Sequence, residues 1–126
     1  MERKIINTEN APAPIGPYSQ AVFAGNLLFV SGQIAINPAS GNVEAKDIIG
    51  ETHQVMHNLK SVLSEAGLDF NHVVKTTIFL SDMSLFAQVN EIYGKYFAGH
   101  FPARETVAVK GLPKNVNVEI SVIASR

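Results

Sequence analysis

Residues 47–66 read DIIGETHQVMHNLKSVLSEA, and the periodicity of this stretch decides how the rest of the chain is arranged. Its apolar and small residues follow one another in alternating steps of four and three: Ile48, Thr52, Val55, Leu59, Val62 and Ala66. These steps place the side chains on one face of an α-helix, because an α-helix turns once in about 3.6 residues. Gly67 then supplies the stop that glycine commonly provides at a helix end. The stretch therefore predicts an amphipathic helix.

Strand patterns lie on both sides of this helix. Residues 18–24 and 27–34 are predicted as two strands joined by a glycine-asparagine turn. Between the start of the chain and these strands, residues 11–17 are too rich in proline and glycine for regular structure, and they predict a short ordered loop. After the helix, Val73–Leu80 is β-branched and apolar, which is typical of a buried strand.

A second helix and two more strands complete the chain. Residues 81–84 offer capping side chains for this helix. Its apolar side is predicted to consist of Leu85, Phe86, Val89, Tyr93, Tyr96 and Phe97. Residues 103–109 and 116–124 are predicted as the last two strands, linked by a loop around Gly111.

The resulting order is β-β-α-β-α-β-β, which predicts an α+β fold with a mixed sheet and two helices on one face. In the last strand, alternate residues divide between an apolar face and a polar face. The polar set is Asn117, Glu119 and Ser121. The second face of the sheet is therefore predicted to be the more polar one. Residues 1–126 are predicted to form one domain, since single domains commonly span about 50 to 250 residues.

Composition excludes several classes of site. The chain has no cysteine, which excludes disulfides, a thiolate nucleophile and cysteine-ligated metals. Its formal net charge of -1 argues against a protein built to neutralise nucleic-acid phosphates. No window approaches the roughly 20 apolar residues of a membrane helix, and the first residues lack a secretory pattern. A cytoplasmic protein without membrane contact is expected.

Common catalytic motifs are also missing. The sequence contains no glycine-rich phosphate loop, no Gly-x-Ser-x-Gly elbow and no dinucleotide fingerprint. His53 and His57 lie four apart on the first predicted helix, but Gln54 stands where a zinc protease needs glutamate. We therefore interpret both histidines as structural or solvent-exposed and predict no metal site.

Two charged residues on predicted strands remain as candidates. Arg104 opens a strand and shares its face with Thr106 and Ala108, so its planar donors can grip a carboxylate in two parallel hydrogen bonds. Glu119 interrupts an apolar run, and if subunits enclose it, it can orient water or move protons. The pattern alone also fits the plainer alternative for each residue, which is a solvated side chain.

Five blocks of residues together carry a resemblance to a known family. They are 13–20 (APIGPYSQ), 30–34 (VSGQI), 101–104 (FPAR), 112–114 (LPK) and 118–120 (VEI). In this order and over essentially the whole chain, they resemble the RidA family, also called YjgF. The resemblance implies a chorismate-mutase-like fold of the Bacillus type, assembled as a homotrimer with ligand clefts between subunits. It also implies hydrolysis of reactive 2-imino acids, or of their enamine tautomers, to 2-oxo acids and ammonia without a cofactor.

The resemblance also implies a role for individual residues. Arg104 resembles the arginine that holds the substrate carboxylate, and Glu119 the glutamate that positions the attacking water. The substrate-binding set implied is Tyr18, Ser31, Gly32, Asn90, Arg104 and Thr106. Thr106 stands where many members have cysteine, but the contact usually assigned there is made by the main chain. Glu105 also departs from the small residue often found at its position, and its charge is expected to narrow substrate choice.

Two other functions remain open. Some relatives have been described as endoribonucleases that inhibit translation, although no basic stripe or aromatic platform is evident here. The same carboxylate clamp would also serve a trimer that senses 2-oxo acids or binds a partner without turnover. Such a sensor would use the same clamp as the deaminase, so the sequence does not separate these two, whereas the net charge of -1 argues against the endoribonuclease.

Overall fold

The computed structural model describes residues 2–126, which form six strands and two α-helices. The elements are β1 (Arg3–Ile6), β2 (Ala21–Ala24), β3 (Leu27–Gln33), α1 (Ile48–Glu65), β4 (Val73–Leu80), α2 (Phe86–Gly94), β5 (Ala103–Ala108) and β6 (Val118–Ser125). Single turns of 3₁₀-helix precede β4, α2 and β6. No helix within these described residues is long and apolar enough to cross a membrane.

One mixed sheet holds all six strands in the order β1-β2-β3-β6-β4-β5. The pair β4 and β5 is parallel and every other pair is antiparallel. The α+β class, the mixed sheet and the two helices are thus confirmed. The sequence did not predict β1, because only Ile6 of its four residues is buried and an exposed edge strand leaves no apolar pattern.

The helices cover one face of the sheet. Asp47 caps α1 by accepting a hydrogen bond from the Gly50 amide at 2.7 Å. The buried side chains of α1 then pack against the inward residues of β6, which are Val118, Ile120, Val122 and Ala124. Alternate residues of β6 follow this pattern without exception, as the sequence predicts.

No element of the described chain covers the opposite face, called here the open face. It carries polar residues of β6, as predicted, but also large apolar side chains from neighbouring strands. Phe29 is 44% exposed and Ile5 is 61% exposed. The open face is therefore partly apolar at β1 and β3, although the sequence predicted it as the more polar of the two faces. That prediction used β6 alone, and strand pairing brings these apolar residues onto the same surface.

Candidate functional site

A cleft of about 510 Å³ lies on the open face, where β3 ends and β6 begins; we call it the Glu119 cleft. Four of the predicted site residues line it: Tyr18, Ser31, Gly32 and Glu119. Most of the other lining side chains are apolar, and they come from the loop before β2, from the end of β3 and from Pro113. Lys114 supplies the cationic side chain of this lining.

The loop that carries Tyr18 is held by a buried glutamine. The Gln20 side chain accepts a hydrogen bond from the Thr8 amide at 2.7 Å and donates to the carbonyls of Thr8 and Pro12 at 3.0 and 2.9 Å. The Gln20 side chain thus fixes residues 8–12 against the start of β2. The Gln20 carbonyl still accepts from the Ser31 amide at 2.9 Å, and β2 begins at Ala21 rather than at the predicted Tyr18. Tyr18 is left 52% exposed at the edge of the cleft.

A β-bulge at Ser31 and Gly32 lies beside the Glu119 side chain. Val30 pairs with Val122, but Gln33 pairs with Ile120, so β3 has one more residue than β6 across this interval. Both residues of the bulge line the cleft. Glu119 then approaches Gly32 so closely that a Cβ there would lie 2.5 Å from Glu119 Oε2.

Gly32→Ala is therefore expected to push the Glu119 carboxylate out of place. The carboxylate is the end of a flexible chain, so the fold should absorb the change with a shift in melting temperature of only a few degrees. The imine hydrolysis that the family resemblance implies should be affected more. We expect kcat to fall about 10-fold, since misplacement of a reacting group by 1 Å can cost even more. Thermal melts and steady-state kinetics measure the two effects, and equal kcat in wild type and variant would contradict this role of Gly32.

Burial alters the acidity of Glu119. Its side chain is half-buried, and none of the described residues donates a hydrogen bond to its carboxylate. Desolvation by burial raises the pKa of Glu119 above its ordinary value. A carboxylate in such surroundings is a stronger base than one in water, which suits it to accept a proton from a bound water molecule.

Arg104 lies in a second pocket of about 410 Å³, which we call the Arg104 pocket. Its guanidinium carbon lies 5.5 Å from the centre of the Phe86 ring and 5.3 Å from that of Tyr93. Arg104 Nη1 donates to Asn90 Oδ1 at 2.6 Å. No carboxylate of the described chain pairs with Arg104. The guanidinium is thus oriented by an amide and two rings, and its remaining donors are free for an anionic ligand.

The residues that hold Arg104 follow a pattern that the sequence already contained. Phe86, Asn90 and Tyr93 are spaced by four and three, so they share one face of α2. Asn90 is the polar member of that otherwise apolar stripe, which was the available signal for a site. Tyr93 is fixed in turn by a hydrogen bond to Thr76 Oγ1 at 3.0 Å, and burial raises the pKa of Tyr93. A neutral ring is therefore maintained beside the guanidinium.

Within one chain, Arg104 and Glu119 do not come together. Arg104 faces the helix side of the sheet, whereas Glu119 faces the open side. Two strand spacings, about 10 Å, also separate β5 from β6. Asn90 and Arg104 line one pocket, while Tyr18, Ser31, Gly32 and Glu119 line the other. Each chain therefore presents two separate groups of predicted site residues, the Glu119 cleft and the Arg104 pocket, which are called half-sites below because the family resemblance predicts one site from both.

Glu105 lies on the side of β5 away from Arg104. Its Oε2 atom is 3.1 Å from Lys75 Nζ, and the two residues sit on neighbouring strands of the open face. The Glu105 side chain therefore points away from Arg104 of its own chain, and its effect on substrate choice stays a prediction. Side chains alternate along a strand, so adjacent residues point to opposite faces.

The Thr106 side chain lines neither half-site, but the Thr106 main chain can still hydrogen-bond to a ligand. The Val109 amide donates to the Leu80 carbonyl at 2.8 Å, which directs alternate residues of β5 toward β4. The amides and carbonyls of Arg104 and Thr106 consequently point to the unpaired edge of the sheet. Thr106 Oγ1 is buried without a hydrogen-bond partner among residues 2–126.

The histidine pair lies away from both half-sites. His53 Nδ1 is 2.6 Å from the Tyr96 hydroxyl, and His57 contacts the edge of the same ring. In the part of the chain that the structure describes, no group of three or more histidine, cysteine, aspartate or glutamate side chains could hold a metal ion. Through Tyr96, the two histidines connect α1 with the segment after α2, which is a structural role.

Comparison with known proteins agrees with the blocks noted in the sequence. Residues 8–126 match the model of a family described as Endoribonuclease L-PSP, which spans nearly all of the chain. The chain belongs to this family, the RidA/YjgF family. One member, the mouse 2-iminobutanoate/2-iminopropanoate deaminase, is 48% identical over 122 residues, which are 97% of this chain and 90% of the mouse protein.

Solved structures of family members share the fold. The Rid-family protein YyfA from Yersinia pestis is 48% identical with a TM-score of 0.96, covering 99% of this chain and 100% of that one. Escherichia coli TdcF with bound serine is 40% identical with a TM-score of 0.92, covering 98% of each chain. This chain therefore has the same fold as these solved structures.

Proposed function

We propose that this protein is a deaminase that hydrolyses reactive 2-imino acids to 2-oxo acids and ammonia. The observation that carries the proposal is the state of Arg104: an oriented guanidinium in an open pocket with no carboxylate partner in the described chain. Such a fork binds a carboxylate through two parallel charge-assisted hydrogen bonds. The names of relatives give the class of substrate, since one is a 2-iminobutanoate/2-iminopropanoate deaminase.

The complete site requires two copies of the chain. Arg104 and Glu119 face opposite sides of their own sheet, so a substrate that meets both must lie between the Arg104 pocket of one subunit and the Glu119 cleft of another. Exposed apolar side chains surround both half-sites: Phe101 is 64% exposed beside Arg104, and Ile15 is 74% exposed beside Glu119. A closed ring of three copies, with the open faces inward, covers these surfaces and joins the half-sites three times.

The reaction needs orientation and proton movement more than a strong nucleophile. Arg104 holds the substrate carboxylate, while the amide of Thr106 on the free strand edge is available to the same ligand. Water adds to the electrophilic C2 carbon and gives up a proton to the Glu119 carboxylate. Glu119 gives this proton to the nitrogen, which forms a carbinolamine. The hydroxyl proton of the carbinolamine then passes to the nitrogen as the C–N bond breaks, so that ammonia leaves and the C=O bond of the 2-oxo acid forms. Every group required is a side chain or main-chain atom of this protein.

The endoribonuclease activity named by the family description is the second candidate. RNA binding is dominated by phosphate contacts, which demand clustered cations. Here the Glu119 cleft is lined by one lysine, the Arg104 pocket by one arginine, and the formal net charge is -1. These features favour a small monoanionic substrate over a polyanion. A trimer that binds carboxylates without turnover would use the same site, so only kinetic measurements distinguish it from the deaminase.

The deciding experiment supplies the imine enzymatically. A threonine dehydratase releases the unstable imine, and the purified protein is added while 2-oxo acid formation is followed through lactate dehydrogenase and NADH. We expect the 2-oxo acid to form faster with the protein than in buffer alone. The ratio of these two rates should rise as the pH rises through the raised pKa of Glu119, because only the ionised carboxylate accepts a proton. Glu119→Gln should remove this rising limb.

Three outcomes separate the candidate functions. Acceleration with the stated pH limb supports the deaminase. Binding of a 2-oxo acid to the intact protein without any acceleration would instead support a sensor. Cleavage of single-stranded RNA by the pure protein that disappears in Arg104→Ala, with no imine hydrolysis, would support the endoribonuclease.

A further inference from the structure

A buried carboxylate on α1 lies outside both half-sites and accepts three hydrogen bonds. Glu51 is 5% exposed. Its Oε2 accepts from the Asn117 amide at 2.7 Å and from the Val118 amide at 2.9 Å, and its Oε1 accepts from Asn117 Nδ2 at 3.1 Å. All three donors belong to the segment that enters β6, immediately before Glu119.

The same asparagine is also bound from the opposite direction. The Ser81 amide donates to the Asn117 carbonyl at 2.9 Å, and Ser81 Oγ donates to Asn117 Oδ1 at 2.8 Å. All four polar groups of Asn117 are therefore engaged, two by α1 and two by the residue after β4. This network ties three elements together at one point of the chain.

The backbone at the start of β6 departs from the geometry of a regular strand. Consecutive amides of a regular strand point to opposite sides, yet those of Asn117 and Val118 both point to one carboxylate. The chain must therefore bend as it enters β6. Just before the bend, Lys114 and Asn115 have positive φ values of 56° and 54°, which non-glycine residues rarely adopt. Glu51 holds the end of this unusual turn.

Glu119 directly follows that bend in the sequence. Its carboxylate lies against Gly32 with no room for a methyl group, so shifts of a few tenths of an ångström change its surroundings. We propose that Glu51 is a positioning residue for Glu119: by fixing the angle at which β6 begins, it sets the place of the Glu119 carboxylate beside Gly32. Its effect on rate rests on the proposed deaminase function, whereas its effect on the surroundings of Glu119 does not.

A pair of complementary substitutions tests this role. Glu51→Gln puts an amide donor against Asn117 Nδ2, so one hydrogen bond is lost and two donors face each other. Asn117→Asp puts a second carboxylate beside Glu51. In the double variant, the new side-chain amide at position 51 accepts from the two backbone amides and donates to the new carboxylate at position 117, which still accepts from Ser81. We expect each single variant to lower kcat about 10-fold with KM within about 2-fold, and the double variant to recover most of the loss.

A second readout does not depend on activity. The titration of the Glu119 carboxyl carbon is followed by NMR in protein labelled at glutamate, with Glu119→Gln used to assign the signal. The wild type should show a raised pKa, the single variants a pKa closer to the ordinary value because the carboxylate becomes more hydrated, and the double variant the wild-type value. Lys114 lines the same cleft, so Lys114→Gln serves to show that its charge is not the source of the change.

Asp47→Ala is the matched control for general loss of stability. It removes the N-cap of the same helix without touching Asn117. It should lower the melting temperature and leave the Glu119 titration in place. An unchanged Glu119 titration in Glu51→Gln, no recovery in the double variant, or an equal shift in Asp47→Ala would each overturn the proposal. Failure of the wild type to hydrolyse imines would instead overturn the proposed function, and the titration would still decide the role of Glu51.

Discussion

Replacement of Arg104 by alanine is expected to lower kcat/KM for imine hydrolysis at least about 100-fold. The guanidinium is held by Asn90 and two rings with its other donors unused, so a substrate carboxylate gains two charge-assisted hydrogen bonds there. Each such bond contributes about 1.5–3 kcal/mol, and every 1.4 kcal/mol corresponds to a factor of ten. The dehydratase-coupled assay measures this loss directly.

Two further variants give this experiment its controls. Arg104→Lys keeps the charge but not the fork, so its activity should lie between those of wild type and Arg104→Ala. Arg126 also lies over an aromatic ring, 4.2 Å from the centre of Phe23, but at a different edge of the sheet. Arg126→Ala should therefore leave kcat/KM near the wild-type value. Comparable losses in Arg126→Ala and Arg104→Ala would point to stability rather than substrate binding.

The helices and inner strands could be predicted because burial leaves a regular pattern in the sequence. The first helix was predicted at 47–66 and is found at Ile48–Glu65, and β4 has the predicted bounds. The second helix is shorter than its apolar residues indicated, since a 3₁₀ turn precedes Phe86 and the chain turns after Gly94. Strand β1 escaped prediction because it packs at an edge.

The arrangement of the candidate site could be predicted only in part. Alternation places Arg104 with Thr106, and it separates Glu119 from its apolar neighbours, as the sequence indicates. The register between neighbouring strands decides which face of the sheet Arg104 and Glu119 occupy. Arg104 pairs with Thr76, and Glu119 pairs with Phe79. Register is a property of pairs of strands, so a single strand's pattern does not contain it. The separation of the two half-sites follows from that register.

A site shared between subunits makes an unusual prediction about mixtures. Arg104→Ala lacks the carboxylate anchor and Glu119→Gln lacks the base, so each variant alone should be nearly inactive. If one subunit supplies Arg104 and its neighbour supplies Glu119, mixed assemblies contain sites in which both residues are intact. In a ring of three that holds both variants, one site joins an intact Arg104 to an intact Glu119, so about one third of the sites should be active.

The most direct test is therefore the activity of co-expressed Arg104→Ala and Glu119→Gln subunits, purified through two different tags so that only mixed assemblies remain. The double variant, which carries both substitutions in every subunit and is co-expressed with itself, is the matched control. A site built by two copies predicts that the mixed assemblies regain about one third of the wild-type rate while the control stays inactive. Mixed assemblies that remain as inactive as each variant alone would contradict it.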